Sequence, residues 1–135
     1  MKRLGSIRRD EGGVAVIEMA FAFPILVIML WAIIQLGLVF RAMSGIQHSL
    51  GEGARAATLW PVPSVDTVQA KMRSAVYGIG PGNFNIPTPS EGTASGADYL
   101  DLSVTYTQAT DLLIIPGPTI SVSRSKRVWK SESDS

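Results

Sequence analysis

Gly12-Gly13-Val14-Ala15-Val16-Ile17-Glu18-Met19-Ala20-Phe21-Ala22-Phe23-Pro24, continuing without a break to Phe40, is the stretch that decides how the rest of the chain is read. From Met19 to Phe40 there is no formal charge. As a helix rising about 1.5 Å per residue, that segment covers roughly 33 Å, enough to cross a hydrocarbon core of about 30 Å. The pattern predicts a membrane-spanning helix, with membrane lipid as its first partner. Glu18 is the one charge inside the apolar segment that begins at Val14. A lipid-facing carboxylate is costly even near a helix end, so it needs an accommodation. Backbone N–H groups and the positive end of the helix dipole offer one. An α-amino group on Val14, one turn away if the chain were cut after Gly13, offers another. A neighbouring chain's amino group, or the lipid headgroups, would serve as well.

Moving outward toward the N-terminus, Met1 to Gly13 forms a leader with Lys2, Arg3, Arg8 and Arg9 against Asp10 and Glu11. Excess positive charge before a span places that end in the cytoplasm and the remainder outside; Arg41 and Arg55 on the far side are outnumbered four to two. A secretory signal peptide fits poorly, because its apolar region is shorter, roughly 7–15 residues, and ends at small residues rather than at Phe40-Arg41-Ala42-Met43. Pro24 removes one helical hydrogen bond and clashes one turn back. It therefore predicts a kink or local melting near Ala20, unless it is simply tolerated.

The residues Gly13-Val14-Ala15-Val16-Ile17-Glu18-Met19-Ala20-Phe21-Ala22-Phe23-Pro24-Ile25-Leu26-Val27 resemble the N-terminal signature of the TadE/TadF family, minor pseudopilins of the tight-adherence (Tad, Flp-type) pilus machinery. In that family a basic leader ends in glycine, a short run of small and branched residues leads to glutamate, and a proline follows six residues later. The resemblance implies that a prepilin peptidase cuts between Gly13 and Val14, and that Glu18 is the acidic residue at the fifth mature position. It implies other pilins and pseudopilins and an inner-membrane pilus assembly platform as partners. The location it implies is the bacterial inner membrane or the pilus itself, and the role is in pilus biogenesis, adhesion and biofilm formation. Ile34-Gln35-Leu36-Gly37 resembles the family's acid-aromatic-glycine end of the span, with Gln35 departing from the commoner glutamate. Gly51-Glu52-Gly53-Ala54-Arg55-Ala56-Ala57 resembles the small-residue stretch with an arginine that follows it.

Beyond the span the helix is expected to continue, since Met43, Ile46, Leu50, Ala54 and Ala57 recur every three or four residues. His48, Glu52 and Arg55 fall on other faces, and His48 is expected to pair with Glu52 in solvent. Gly45, Gly51 and Gly53 soften this helix by up to about 1 kcal/mol each unless a partner packs there. Trp60-Pro61-Val62-Pro63 should end it. A second helix is predicted from cap candidates Ser64 to Asp66, with an apolar stripe of Val65, Val68, Met72, Val76 and Ile79 and with Gly78 near its end.

From Gly80 to Ala97 the Pro, Gly, Ser and Thr content predicts a loop. Tyr99 to Thr107 then alternates, with Leu100, Leu102, Val104 and Tyr106 on one face, as a half-buried strand does. Leu112-Leu113-Ile114-Ile115 fits either a further strand or an exposed contact for another subunit. Pro116-Gly117-Pro118 turns the chain into Thr119 to Trp129, where Ile120 and Val122 alternate with serines. Two or three antiparallel strands against the Val65 helix give an α+β fold. The expected divisions are a leader at 1–13, a transmembrane helix at 14–40, its extension at 41–60 and a small extracytoplasmic domain at 61–135.

Composition limits the function. With 135 residues, fewer than a hundred outside the span, a deep enzyme cleft is not expected. The net charge of +1, with positive residues divided between the two ends, gives no patch for nucleic acid. The absence of cysteine excludes disulfides and thiolate metal sites. A single histidine, His48, far in sequence from any candidate acid in the strands, suggests neither a metal site nor a catalytic triad. No Gly-Lys-Ser/Thr phosphate loop occurs. No catalytic residue and no cofactor is therefore expected. The leading reading is a structural subunit that works by packing. The alternative is an uncleaved, membrane-tethered binding or adhesin module, and the two part on whether Gly13 and Glu18 matter.

Overall fold

The computed structural model describes residues 11–61, 63–78, 80–113 and 115–130, without the side chains of residues 11 and 12. Lys2, Arg3, Arg8 and Arg9 of the expected leader, with Val62, Ile79 and Ile114, lie outside the described residues. Helix α1, Glu11–Ala57, has 47 residues and runs through Pro24 without interruption; at about 1.5 Å per residue it is roughly 70 Å long. It is long and apolar enough to cross a membrane.

The surface of α1 changes character along its length. From Val14 to Leu26 every side chain is exposed, including Ile17, Phe21, Phe23 and Ile25. From Gln35 onward one stripe is buried: Gln35, Val39, Ala42, Ile46, Ser49, Gly53 and Ala56, at alternating spacings of four and three. That spacing keeps one helix face toward a neighbour. The expected apolar face is present in Ile46, Leu50 and Ala57, with Met43 and Ala54 half-buried.

Helix α2, Val65–Ala75, starts at Ser64, whose Oγ accepts a hydrogen bond from the Thr67 N–H at 3.3 Å. Asp66 in its first turn and Arg73 in its last complement the helix dipole. Val68 and Met72 are its buried residues, and Val76 is the C-cap, so the predicted stripe ends one turn early. Small residues on α1 let α2 approach. A Cβ on Gly45 would overlap the Tyr77 carbonyl, and one on Gly53 would press on the Met72 side chain. Ser49 Oγ also donates to the Met72 carbonyl at 2.8 Å.

Four antiparallel strands form one sheet: β1 Asn83–Asn85, β2 Ser90–Ala94, β3 Ala97–Asp111 and β4 Pro116–Trp129. β3 is central, with β4 along one edge from Tyr99↔Trp129 to Asp111↔Pro116. The other edge is shared by β2, opposite Ala97 to Asp101, and β1, opposite Thr105 to Thr107. Ser95 and Gly96, both at positive φ, make the two-residue turn between β2 and β3. The face of β3 read from the alternation is correct: Leu100, Leu102, Val104 and Tyr106 are all buried.

Three expectations need correction. The stretch from Gly80 to Ala97 is not all loop, because β1 and β2 form on the open edge of β3. There, backbone pairing overrides their weak strand composition. Leu112, Leu113 and Ile115 belong to no strand. They lie in the turn between β3 and β4, closed by the Leu112 N–H donating to the Ile115 carbonyl at 2.8 Å, and β4 begins at Pro116. The sheet, finally, has four strands and lies against α1 rather than closing on α2 alone. One cluster joins Val39, Ala42, Ile46 and Leu50 of α1 to Val68 and Met72 of α2 and Leu100 to Tyr106 of β3. The protein is α+β, with α1 supplying a large share of the core of its folded C-terminal part.

Candidate functional site

The residues singled out for processing lie together on the first turns of α1. Gly13 and Val14 are within the helix, Glu18 is exposed one turn after Val14, and Pro24 lies further along the same bare cylinder. Glu18 forms no ion pair with any described residue. Its neighbours Val14, Ile17, Met19 and Phe21 are all exposed, so in water this end of the helix would present a long apolar surface with one carboxylate on it. Such a surface is stable only when lipid or other apolar helices cover it.

At the other end of the bare segment, α1 is fastened to the tip of the β3–β4 hairpin. The Trp31 indole N–H donates to Asp111 Oδ1 at 2.7 Å, and the Gln35 amide donates to the Asp111 carbonyl. Gln35 Oε1 also accepts from the Asp111 N–H at 3.1 Å. Gln35 is 7% exposed, so both of its bonds are shielded from water. An amide can donate and accept at once, whereas an ionised carboxylate can only accept. That difference explains the departure from glutamate at Gln35: this backbone needs a donor as well as an acceptor. The same Asp111 Oδ1 accepts from the Leu113 N–H at 3.2 Å, which holds the turn. Sequence reasoning missed this clamp. Its one signal was a lone amide in an apolar span.

The clamp also sets heights. Gln35 meets Asp111, and Leu102 comes within 3.3 Å of the Cβ position of Gly53. The helix rises about 27 Å between the first pair and the second, and nine residues of β3 cover about 30 Å. β3 therefore runs antiparallel alongside α1, with the hairpin tip pointing toward the bare segment.

The solvent face of the sheet carries a polar ladder. Arg127 binds Asp101 through two bonds of 2.8 Å and lies 3.9 Å from the centre of the Tyr99 ring. Tyr99 packs edge-on against Trp129 at 5.5 Å. The Arg127 hydrogen bond holds the Asp101 carboxyl below the usual carboxylate range, and the same bond raises Arg127. Farther down, Thr105 faces Ser123 at 2.9 Å. On the other face, that of Leu100 and Val128, Lys130 pairs with Glu91.

His48 does not form the ion pair expected with Glu52. Its ring instead lies 5.6 Å from that of Tyr77, in the segment after α2. Inside the core, Tyr106 donates to Gln108 Oε1 at 2.7 Å, and Gln108 Nε2 finds no acceptor among the described residues. No group of three or more His, Cys, Asp or Glu side chains that could hold a metal ion occurs among the described residues.

Residues 13–55 match the family described as TadE-like protein. The match covers the helix from the glycine before Val14 to Arg55, the same stretch on which the sequence resemblance rests. No curated protein and no solved structure matches the chain.

Proposed function

We propose that this chain, TadE-like over residues 13–55, is a minor pseudopilin of a Tad/Flp-type pilus assembly system. In this reading a prepilin peptidase removes the leader between Gly13 and Val14. The exposed apolar part of α1 then holds the protein in the inner membrane, N-terminus inward, or joins a helical filament core. Other pilins, pseudopilins and the assembly platform are its partners, and pilus biogenesis, adhesion and biofilm formation are the processes it serves. Its chemistry is recognition and packing, not catalysis.

The observation that carries this reading is the bare cylinder from Val14 to Leu26 with Glu18 as its only charge, rigidly continued into a small folded unit. An isolated soluble domain has no use for such a surface, whereas a subunit that passes from lipid into a bundle of like helices does. Glu18 supplies direction: a carboxylate near the start of one helix can meet the new α-amino group of the same or the next chain and so fix their axial register.

Gly13→Ala and Glu18→Ala test the proposal. With the cognate peptidase, Gly13→Ala is expected to leave the chain full length. Glu18→Ala is expected to be cut but to lose surface attachment by the cells that carry it. If both variants are processed and support attachment like the parent, the chain is a tethered module and not a pseudopilin.

A further inference from the structure

The clamp has a consequence for where the hairpin tip lies. Asp111 is held at the level of Trp31 and Gln35, and the first charge on α1 beyond them is Arg41, about 9 Å further along the axis. If α1 crosses a bilayer as the proposed function has it, residues 31–40 lie within the membrane or its interface. The tip is fixed beside them. It has no freedom to sit elsewhere while the clamp holds.

The tip is built for that place. Leu112, Leu113 and Ile115 are 37%, 53% and 62% exposed. Leu113 adopts φ 69°, a conformation that glycine would take without strain, so a large apolar side chain is displayed where a small residue would be easier. Between Thr107 and Ser123 the only charged residue is Asp111, whereas Arg124, Lys126, Arg127 and Lys130 all lie toward the far end of β4. Asp111 itself has its Oδ1 bonded to Trp31 and Leu113, and its backbone N–H and carbonyl bonded to Gln35. One carboxylate oxygen and both backbone polar groups therefore carry partners into a region where water is scarce. Apart from Asp111, whose Oδ1 accepts from the Trp31 indole, helix and hairpin carry no charge from the level of Trp31 to that of Phe40, and both carry charges beyond it.

We propose that the β3–β4 hairpin tip, through Leu112, Leu113 and Ile115, is a second membrane contact, inserted into the lipid of the same bilayer that α1 crosses. It would fix the rotation of α1 in the membrane, because only one side of the helix carries the hairpin, and it would hold the C-terminal unit down on the lipid surface. Extraction of the subunit from the membrane would then have to withdraw the tip as well as the span.

The chain has no cysteine, so single labels are direct. Full-length protein carrying Leu113→Cys, Ile115→Cys, Leu26→Cys or Ser95→Cys, each labelled with an environment-sensitive fluorophore, is reconstituted in phosphatidylethanolamine/phosphatidylglycerol vesicles. Spin labels placed shallow or deep on the acyl chains, and aqueous iodide, serve as quenchers. The expected result is quenching by the acyl-chain labels at positions 113, 115 and 26 with protection from iodide, and iodide quenching alone at 95. Quenching at 113 and 115 by iodide, with 26 still deep, overturns the tip contact while leaving the span intact. If 26 is also open to iodide, the span itself fails. Protection at 113 that appears only when other pilins are added would make the occupant a protein and would equally overturn the lipid contact. Gln35→Leu with the label at 113 is a further arm: loss of the clamp is expected to raise iodide access there while position 26 stays protected.

Discussion

At the scale of single residues, the chain places a few polar groups where apolar ones would be ordinary, and each has an identifiable task. Gln35 is the clearest. Its neighbours in the span are apolar, yet both atoms of its amide are bonded to the backbone of Asp111. Gln35→Glu keeps an acceptor and loses the donor, leaving the Asp111 carbonyl unpaired at a cost of about 1–3 kcal/mol. Hydrogen exchange at the hairpin tip is expected to quicken in that variant, with the rest of the sheet unchanged. The opposite end of the hairpin has a different kind of pair. Asp101 has a carboxyl held below its usual range by Arg127, so the folded state binds its proton more weakly than the unfolded chain does. That contribution is present above the unfolded value, near pH 4, and is lost as the pH falls through the lower folded value. Arg127 shifts upward, so its share is complete at every pH below the arginine range and does not alter this window. Both groups are exposed, so the effect is small. Asp101→Asn is expected to remove a shallow acid-side slope in the thermal midpoint below about pH 4, and to leave the midpoint at pH 7 only slightly lower.

Among the elements, glycines decide how closely α1 and α2 can meet, and they are not equivalent. A methyl group at Gly45 would strike the Tyr77 carbonyl, a backbone atom that cannot step aside, whereas nothing lies within 4 Å of the Cβ position of Gly51. Gly45→Ala is therefore expected to destabilise by about 1–3 kcal/mol through overpacking, and Gly51→Ala to stabilise by up to about 1 kcal/mol through helix propensity, as measured by thermal unfolding in detergent. In the sequence the three glycines of this segment look alike, because spacing alone does not say which one meets a neighbour. The elements that were legible are those with a strong period of their own: the apolar helix, the capped start of α2 at Ser64, and the alternation from Leu100 to Tyr106. β1 and β2 were not legible because their order comes from the edge of β3, and Asn83-Phe84-Asn85 carries no signal of that edge. Leu112 to Ile115 was ambiguous for the opposite reason. A run of apolar residues fits a strand or an exposed contact equally until the turn that displays Leu112, Leu113 and Ile115 is seen.

For the whole molecule, one long helix carries both an exposed apolar segment and a share of the core. Residues 39–57 provide Val39, Ala42, Ile46, Leu50, Ala56 and Ala57 to the same core as the sheet. A fragment of residues 61–135 is accordingly expected to lack a cooperative thermal transition, while one of residues 31–135 keeps it, as followed by circular dichroism. The processing residues were readable as a group, since Gly13, Val14, Glu18 and Pro24 follow one another along the chain. The clamp was not, because Trp31 and Gln35 lie 80 and 76 positions from Asp111 in the chain and meet it only through folding. Everything proposed for the function depends on the glycine before Val14 being recognised by a membrane peptidase and on Glu18 then being recognised by a neighbouring helix. The intact mass of the protein purified from cells that are assembling pili tests this most directly: a chain beginning at Val14 is the predicted result, and a chain still beginning at Met1 beside normally assembled pili would contradict it.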